Sequence, residues 1–220
     1  MTVRERLAEV EERIRRAADR ARRRRDEITL IAVTKTFPAA VIREGYEAGL
    51  RDFGENYVQE FEAKRPLLSD LCGTRFHLVG HLQSNKARRA AELFDSIQTL
   101  DTLKLVRRLD ECGRRIEVMI EVRLSEEETK SGVRPEELPA LVEAVRSSAH
   151  LELRGLMTMP PWFEDPERAR PYFARLRELA RGFSLPCLSM GMSGDFEVAI
   201  EEGATHIRLG TALFGPRLRR

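Results

Sequence analysis

Ile28-Thr29-Leu30-Ile31-Ala32-Val33-Thr34-Lys35-Thr36-Phe37 decides how the rest of the chain is read. From Ile28 to Val33 the residues are almost all aliphatic or β-branched, with no polar alternation. A short apolar run of that kind predicts a strand buried on both faces, as in a parallel sheet. It ends in Thr34-Lys35-Thr36, and Pro38 then opens a helical stretch. A lysine at the carboxyl end of a buried strand is poorly hydrated, which disfavours its ammonium form and makes a nucleophilic amine accessible near neutral pH. That is the chemistry of a Schiff-base lysine. A lysine that simply caps the strand and reaches solvent fits this stretch equally well, so the remainder of the chain has to decide.

Outward from this strand, apolar segments and helical patterns alternate. Further strands are expected near Asp52-Phe53, Phe76 to Val79, Ser96 to Thr99, Ile116 to Val122, Leu151 to Met157, Pro186 to Met190 and His206 to Leu209. Helical patterns lie between them, at Ala39 to Ala48, Tyr57 to Leu68, Ser84 to Leu93, Thr102 to Cys112, Pro135 to Ser148, Asp165 to Arg181 and Phe196 to Glu202. Gly49, Gly113, Gly182 and Gly203 fall where helices are expected to stop, as glycines just beyond a helix do. Eight βα units predict an α/β single-domain (β/α)8 TIM barrel over residues 28–215, with residues 1–27 as an added N-terminal helix. A doubly wound open sheet is the alternative, but no GxGxxG follows the first strand.

Residues 3–25 carry Val3, Leu7, Val10 and Ile14 at helical spacing, a narrow apolar stripe on a charged helix. The Arg22 to Arg25 run at its end resembles a nucleic-acid patch. A solvated helix terminus, where the macrodipole favours cations, is the stronger reading. With a net charge of +2, no general attraction to nucleic acid or membrane is expected. The lysines are few, at positions 35, 64, 86, 104 and 130. Cys72, Cys112 and Cys187 are odd in number and lack ligand spacing, so neither a disulfide framework nor a metal site is expected. The N-terminus has no apolar leader and no stretch approaches membrane-spanning length, so a cytoplasmic protein is expected.

In a barrel, chemistry belongs at the carboxyl ends of the strands. Those ends supply Lys35, Asn56, His81, a Gly191-Met192-Ser193-Gly194-Asp195 turn, and Arg208 followed by Gly210-Thr211. Small residues after the last two strands let backbone amides approach an anion. Ser193 is expected at or near the cap of the Phe196 to Glu202 helix, where free amides suit phosphate. Arg208 inside the last strand needs an acceptor if it points into the barrel mouth. His81 fits a satisfied structural histidine better than a base, and Asn56 could hydrogen-bond a ligand oxygen. A Schiff-base lysine facing a phosphate cup suggests pyridoxal 5′-phosphate (PLP), whose aldehyde and phosphate lie on opposite sides of one ring.

The segments IAVTK, FGENYVQE, FHLVGHLQSNK, EVRLSEEETKSGV, GLMTM, LSMGMSGDFEVAI and IRLGTALFG, in this order from about Ile28 to Gly215, resemble the pyridoxal phosphate homeostasis protein family. The resemblance implies a barrel similar to the N-terminal domain of alanine racemase, with PLP as an internal aldimine on Lys35. Asn56 would sit near the phenolic oxygen of the ring, and Ser193, Gly210 and Thr211 would bind phosphate, with Gly194 nearby. Arg208 would face the pyridine nitrogen. His81 and Met192 complete the candidate cofactor-binding set; no residue is assigned a catalytic role or a metal. A guanidinium only donates hydrogen bonds, so it leaves the pyridine nitrogen unprotonated and makes the ring a weaker electron sink.

Eight βα units also use the chain up to Gly215-Pro216, leaving no second domain of the kind a racemase of this type needs. The expectation is therefore a carrier without substantial turnover. It would bind PLP reversibly as a monomer and support delivery, with PLP-dependent apo-enzymes as possible partners. Three competitors remain: a racemase-like enzyme using Tyr57 or His81, a sugar-phosphate aldolase using Lys35 with Glu55, and nucleic-acid binding through Arg22 to Arg25.

Overall fold

Strand β1 (Thr29–Val33) pairs in parallel with β2 (Asp52–Glu55) on one side and with β8 (His206–Leu209) on the other, so the first and last strands close the sheet. The computed structural model of the chain describes residues 1–125, 127 and 131–216. Lys130 lies outside the described residues. Between β2 and β8 run β3 (Arg75–Leu78), β4 (Ser96–Leu100), β5 (Ile116–Glu121), β6 (Leu151–Met157) and β7 (Cys187–Ser189). Each pairs with its sequence neighbours, giving a closed eight-stranded parallel barrel, the (β/α)8 architecture expected from the sequence. Leu30 to Val33 are buried, as a strand covered on both faces requires.

Alternation along each strand sorts side chains into two environments. Leu30, Ala32, Phe53, Phe76, Leu78, Ile97, Ile120, Ile207 and Leu209 face the helices and belong to the main apolar core. A tilted row of rings joins Phe76 to Phe61 (centroids 4.6 Å apart) and Phe61 to Phe94 (4.8 Å). Phe61 belongs to helix α3 (Val58–Lys64), so this row seats α3 on the outside of β2 and β3. The positions between these residues face the barrel axis. There Ile31, Val33, Val79 and Met157 are buried alongside an unusual set of polar groups, His77, Gln98, Ser189 and Arg208. A barrel interior is ordinarily packed with branched aliphatics, so this polar layer needs an account.

The helices start and stop for local reasons. Helix α1 (Val3–Arg20) opens with a capping box in which Thr2 and Glu5 satisfy each other's backbone amides. Val3, Val10, Ile14, Ala17 and Ala18 are its buried face. The Arg22 to Arg25 run does not lie in this helix, because Arg22 turns left-handed at φ 55° and breaks it. Arg23 donates instead to the carbonyls of Ile200 and Ala204, at the C-terminus of α8 (Phe196–Glu201). The cation thus complements a different helix end from the one expected. The 57–68 segment splits at Arg65-Pro66 into α3 and a 3-10 turn, since proline has no amide to continue the ladder. Helix α7 (Arg170–Gly182) runs through Gly182, and Ser184, at φ 55°, takes the left-handed position assigned to that glycine.

Candidate functional site

Lys35 stands in a tight turn just past β1, closed by the Phe37 amide donating to the Thr34 carbonyl at 3.1 Å. The next residue, Thr36, has φ 67°. Glycine or asparagine ordinarily takes that region, and a β-branched residue there carries strain of roughly 1–3 kcal/mol. The strain is held by hydrogen bonds on both sides of Lys35. Thr36 donates its amide to Glu60 Oε1 at 2.6 Å, and the Thr34 hydroxyl donates to Glu55 Oε1 at 2.7 Å.

Lys35 lines a cavity of about 290 Å³ at the carboxyl end of the barrel. The same cavity is lined by Asn56, Met192, Ser193, Gly194, Arg208, Gly210 and Thr211. His81 is the one candidate that does not line it. Its side chain is half exposed and faces Asp101, with Nδ1 3.5 Å from Oδ2. Trp162 and Phe163, in the loop after β6, also line the cavity and were not among the candidates, nor was Asp195, named only as part of its turn. Two aromatics after the Pro160-Pro161 pair were the available signal. Trp162 is 81% exposed, an unusual placement for so large an apolar side chain unless something covers it.

Close backbone approaches shape the walls. Gly80, just beyond β3, has no room for a side chain: a Cβ there would lie 2.4 Å from the Asn56 carbonyl. Its bareness lets Asn56 reach the cavity. Gly191 sits at φ 92°, and a Cβ on it would meet Ala199 at 2.6 Å. Ser193 lies near the start of α8, as expected, two residues before its cap; Asp195 occupies the cap position and braces the turn by accepting from the Met192 amide at 2.6 Å. The Ser193 hydroxyl reaches across instead and accepts from the Ala212 amide at 3.3 Å, in the short helix α9 (Thr211–Phe214). It therefore ties the loop after β7 to the loop after β8.

Arg208 explains the polar interior. It is 4% exposed, and its guanidinium donates through Nη1 to the Ser189 hydroxyl at 2.7 Å and through Nη2 to the Thr158 carbonyl at 2.9 Å. Ser189 donates in turn to Gln98 Oε1 at 2.6 Å. Gln98 Nε2 lies 3.3 Å from His77 Nδ1, and His77 Nε2 lies 2.8 Å from Asp52. This relay across the barrel axis fixes the guanidinium with its remaining edge toward the cavity. Burial lowers the Arg208 pKa to about 10, against the pull of Glu121 and Asp195, so it stays a charged donor at neutral pH.

Glu121 lies deeper, at the end of β5. It is 3% exposed and its Oε2 has no hydrogen-bond partner. Burial, then the charge of Asp101, pushes its pKa up to about 7, with Arg208 opposing. It lines a second recess, which shares Met159 with the Lys35 cavity.

The competing chemistries can be placed on this geometry. Glu55 points away from the cavity, on the outer face of β2, where Lys64 Nζ contacts its Oε1 at 2.9 Å. It is not beside the Lys35 amine, as an aldolase acid or base would be. Tyr57 is 55% exposed and, like His81, does not line the cavity. Of the arginine run, Arg25 is engaged by Glu11 and Arg23 by the end of α8. Among the described residues, no cluster of His, Cys, Asp or Glu could hold a metal ion, and no helix is long and apolar enough to cross a membrane.

Residues 6–217 match the alanine racemase N-terminal domain family. The chain is 48% identical to the pyridoxal phosphate homeostasis protein of Pseudomonas aeruginosa, over 98% of this chain and 96% of that one. It is 46% identical to the protein of the same name from Aquifex aeolicus, with 97% of each chain covered. Among solved structures it is similar to PipY of Synechococcus elongatus with PLP bound, at 40% identity and a TM-score of 0.85, covering 97% of this chain and 100% of that one.

Proposed function

Since the chain belongs to the family of pyridoxal phosphate homeostasis proteins, built on the alanine racemase N-terminal domain, we propose that its barrel mouth holds PLP on Lys35 and serves as a reversible store of that cofactor. One observation carries this reading: a lysine just past the first strand and a set of small and hydroxyl residues after the last two line a single cavity. The donor set suits the group. When bound, PLP would supply an aldehyde for the Lys35 amine to hold covalently.

The chain's own residues do the rest. Gly210, Thr211, Ser193 and Gly194 offer amides and hydroxyls to the phosphate, and Met192 packs beside them. Asn56, which lines the same cavity, would hydrogen-bond the phenolic oxygen. Arg208, locked by Ser189 and Thr158, would offer N–H donors to the pyridine nitrogen and has no acceptor for a proton there. That keeps the ring a poor electron sink. With Tyr57 and His81 off the cavity, the arrangement supports a carrier rather than a catalyst of amino-acid chemistry. We assign the protein to the cytoplasm, as a monomer, with PLP-dependent apo-enzymes as recipients.

The absorbance spectrum of the purified protein, recorded with and without added PLP, tests the reading. Wild type is expected to develop a yellow band that borohydride locks onto Lys35, and Lys35→Ala to develop none. A wild type without the band would remove the cofactor assignment. Racemisation of L- or D-amino acids at useful rates in the same cuvette would replace the carrier with an enzyme.

A further inference from the structure

Lys64 is an unusual lysine. It is 7% exposed, on the outer side of the barrel wall, and its ammonium has three acceptors around it. These are the Thr34 carbonyl at 3.1 Å, Glu55 Oε1 at 2.9 Å and Glu60 Oε1 at 2.6 Å. An ammonium has three donors, so the set is complete. Each acceptor also holds the turn that carries Lys35. The Thr34 carbonyl closes that turn, Glu55 accepts the Thr34 hydroxyl, and Glu60 accepts the amide of the strained Thr36. Both neighbours of Lys35 are thus tied to one buried charge. A buried ion cluster contributes little to stability by itself, because desolvation offsets most of the attraction. Its retention beneath a strained turn at a functional site calls for another reason.

We infer that Lys64, with Glu55 and Glu60, is a positioning device: it clamps Thr34–Thr36 in the left-handed kink that presents the Lys35 amine to the cavity. The inference rests on the proposed PLP site and deepens it. Lys64 does not touch the ligand; it acts through the backbone on either side of Lys35. Released from the clamp, Thr36 relaxes toward an ordinary φ and the amine leaves the position from which it reaches an aldehyde. The phosphate cup is built on the loops after β7 and β8, tied to each other by Ser193 and Ala212; no member of the clamp belongs to it, and it is unaffected.

Two probes separate these effects: PLP, and pyridoxine 5′-phosphate, which has the same ring and phosphate with an alcohol in place of the aldehyde. Glu60→Ala and Lys64→Met are expected to weaken PLP binding by at least about tenfold while changing pyridoxine phosphate binding less than about twofold. Thr36→Gly, which adopts the kink without strain, is expected to restore PLP affinity in the Glu60→Ala background to within about threefold of wild type. Equal losses for both ligands would make the cluster merely structural and overturn the inference, as would variants that bind both like wild type. A wild type that forms no Lys35 adduct overturns the cofactor reading beneath it, a result distinct from either.

Discussion

Arg208 Nη1 donates to the Ser189 hydroxyl at 2.7 Å, and that hydroxyl donates onward to Gln98. Ser189 is therefore a junction, the acceptor for a buried cation and the donor to a buried amide. Ser189→Ala is expected to orphan a donor on one side and an acceptor on the other, at roughly 1–3 kcal/mol for each. Urea unfolding should report a loss of about 2–6 kcal/mol. A change below about 0.5 kcal/mol, the size of an ordinary surface substitution, would show that the relay does not hold Arg208.

Two buried groups give the protein opposite responses to pH. Glu121 titrates near 7 when folded against an ordinary value near 4.5, so the folded state keeps a proton that the unfolded chain has lost, and stability falls as pH rises between those values. His206, pushed down to about 4 from 6.5 by burial and then by His77, stays neutral while the unfolded chain is charged, so stability falls as pH drops between those values. Between pH 4.5 and 6.5 the two slopes cancel, and only variants expose them. Relative to wild type, Glu121→Gln should gain stability as pH rises from about 4.5 to 7, by roughly 3 kcal/mol in total. His206→Gln should gain by a similar amount as pH falls from 6.5 to 4. Unfolding free energies at half-unit pH steps would check both, and difference curves of the same sign would contradict the assignment.

Gly80→Ala is predicted to damage binding and stability together. Its new methyl would collide with backbone rather than with a flexible side chain, at 2.4 Å from the Asn56 carbonyl and 2.6 Å from Asn56 Cα. Overpacking of this kind costs roughly 1–3 kcal/mol. Because relief requires Asn56 to move, PLP affinity should fall as well. Thermal melting together with PLP titration tests this, and a variant with unaltered affinity would mean Asn56 plays no part in holding the ligand.

The parts of the molecule legible in the sequence are those decided by local pattern. The Leu151 to Met157 and His206 to Leu209 strands have the bounds expected from their apolar runs, and Lys35 and Arg208 stand out in the sequence because each is a charge within or just beyond an apolar strand. What stayed hidden depends on the third dimension. Glu55 follows Gly54 on a strand, and only the sheet register shows that it faces α3 and Lys64 rather than Lys35. Gln98, Ser189 and His77 are far apart in sequence, and each looked like ordinary polar alternation until barrel closure stacked them on one axis. That Asp195 rather than Ser193 takes the cap itself is settled by the turn, which leaves the Ser193 hydroxyl to the Ala212 amide. The Arg22 to Arg25 run misled for a related reason: its partner Ala204 is distant in sequence, at the end of a helix that α1 meets only in the folded barrel.

β1 is the first strand made and β8 the last, yet they lie side by side. Lys35 follows one, Arg208 lies in the other and Gly210 and Thr211 follow it, so the cavity has no existence in a chain that has been synthesised only through β7. A nascent polypeptide of this protein cannot capture its ligand early and fold around it. The ligand can only reward a barrel that has already shut, and occupancy is in that sense a readout of completed folding.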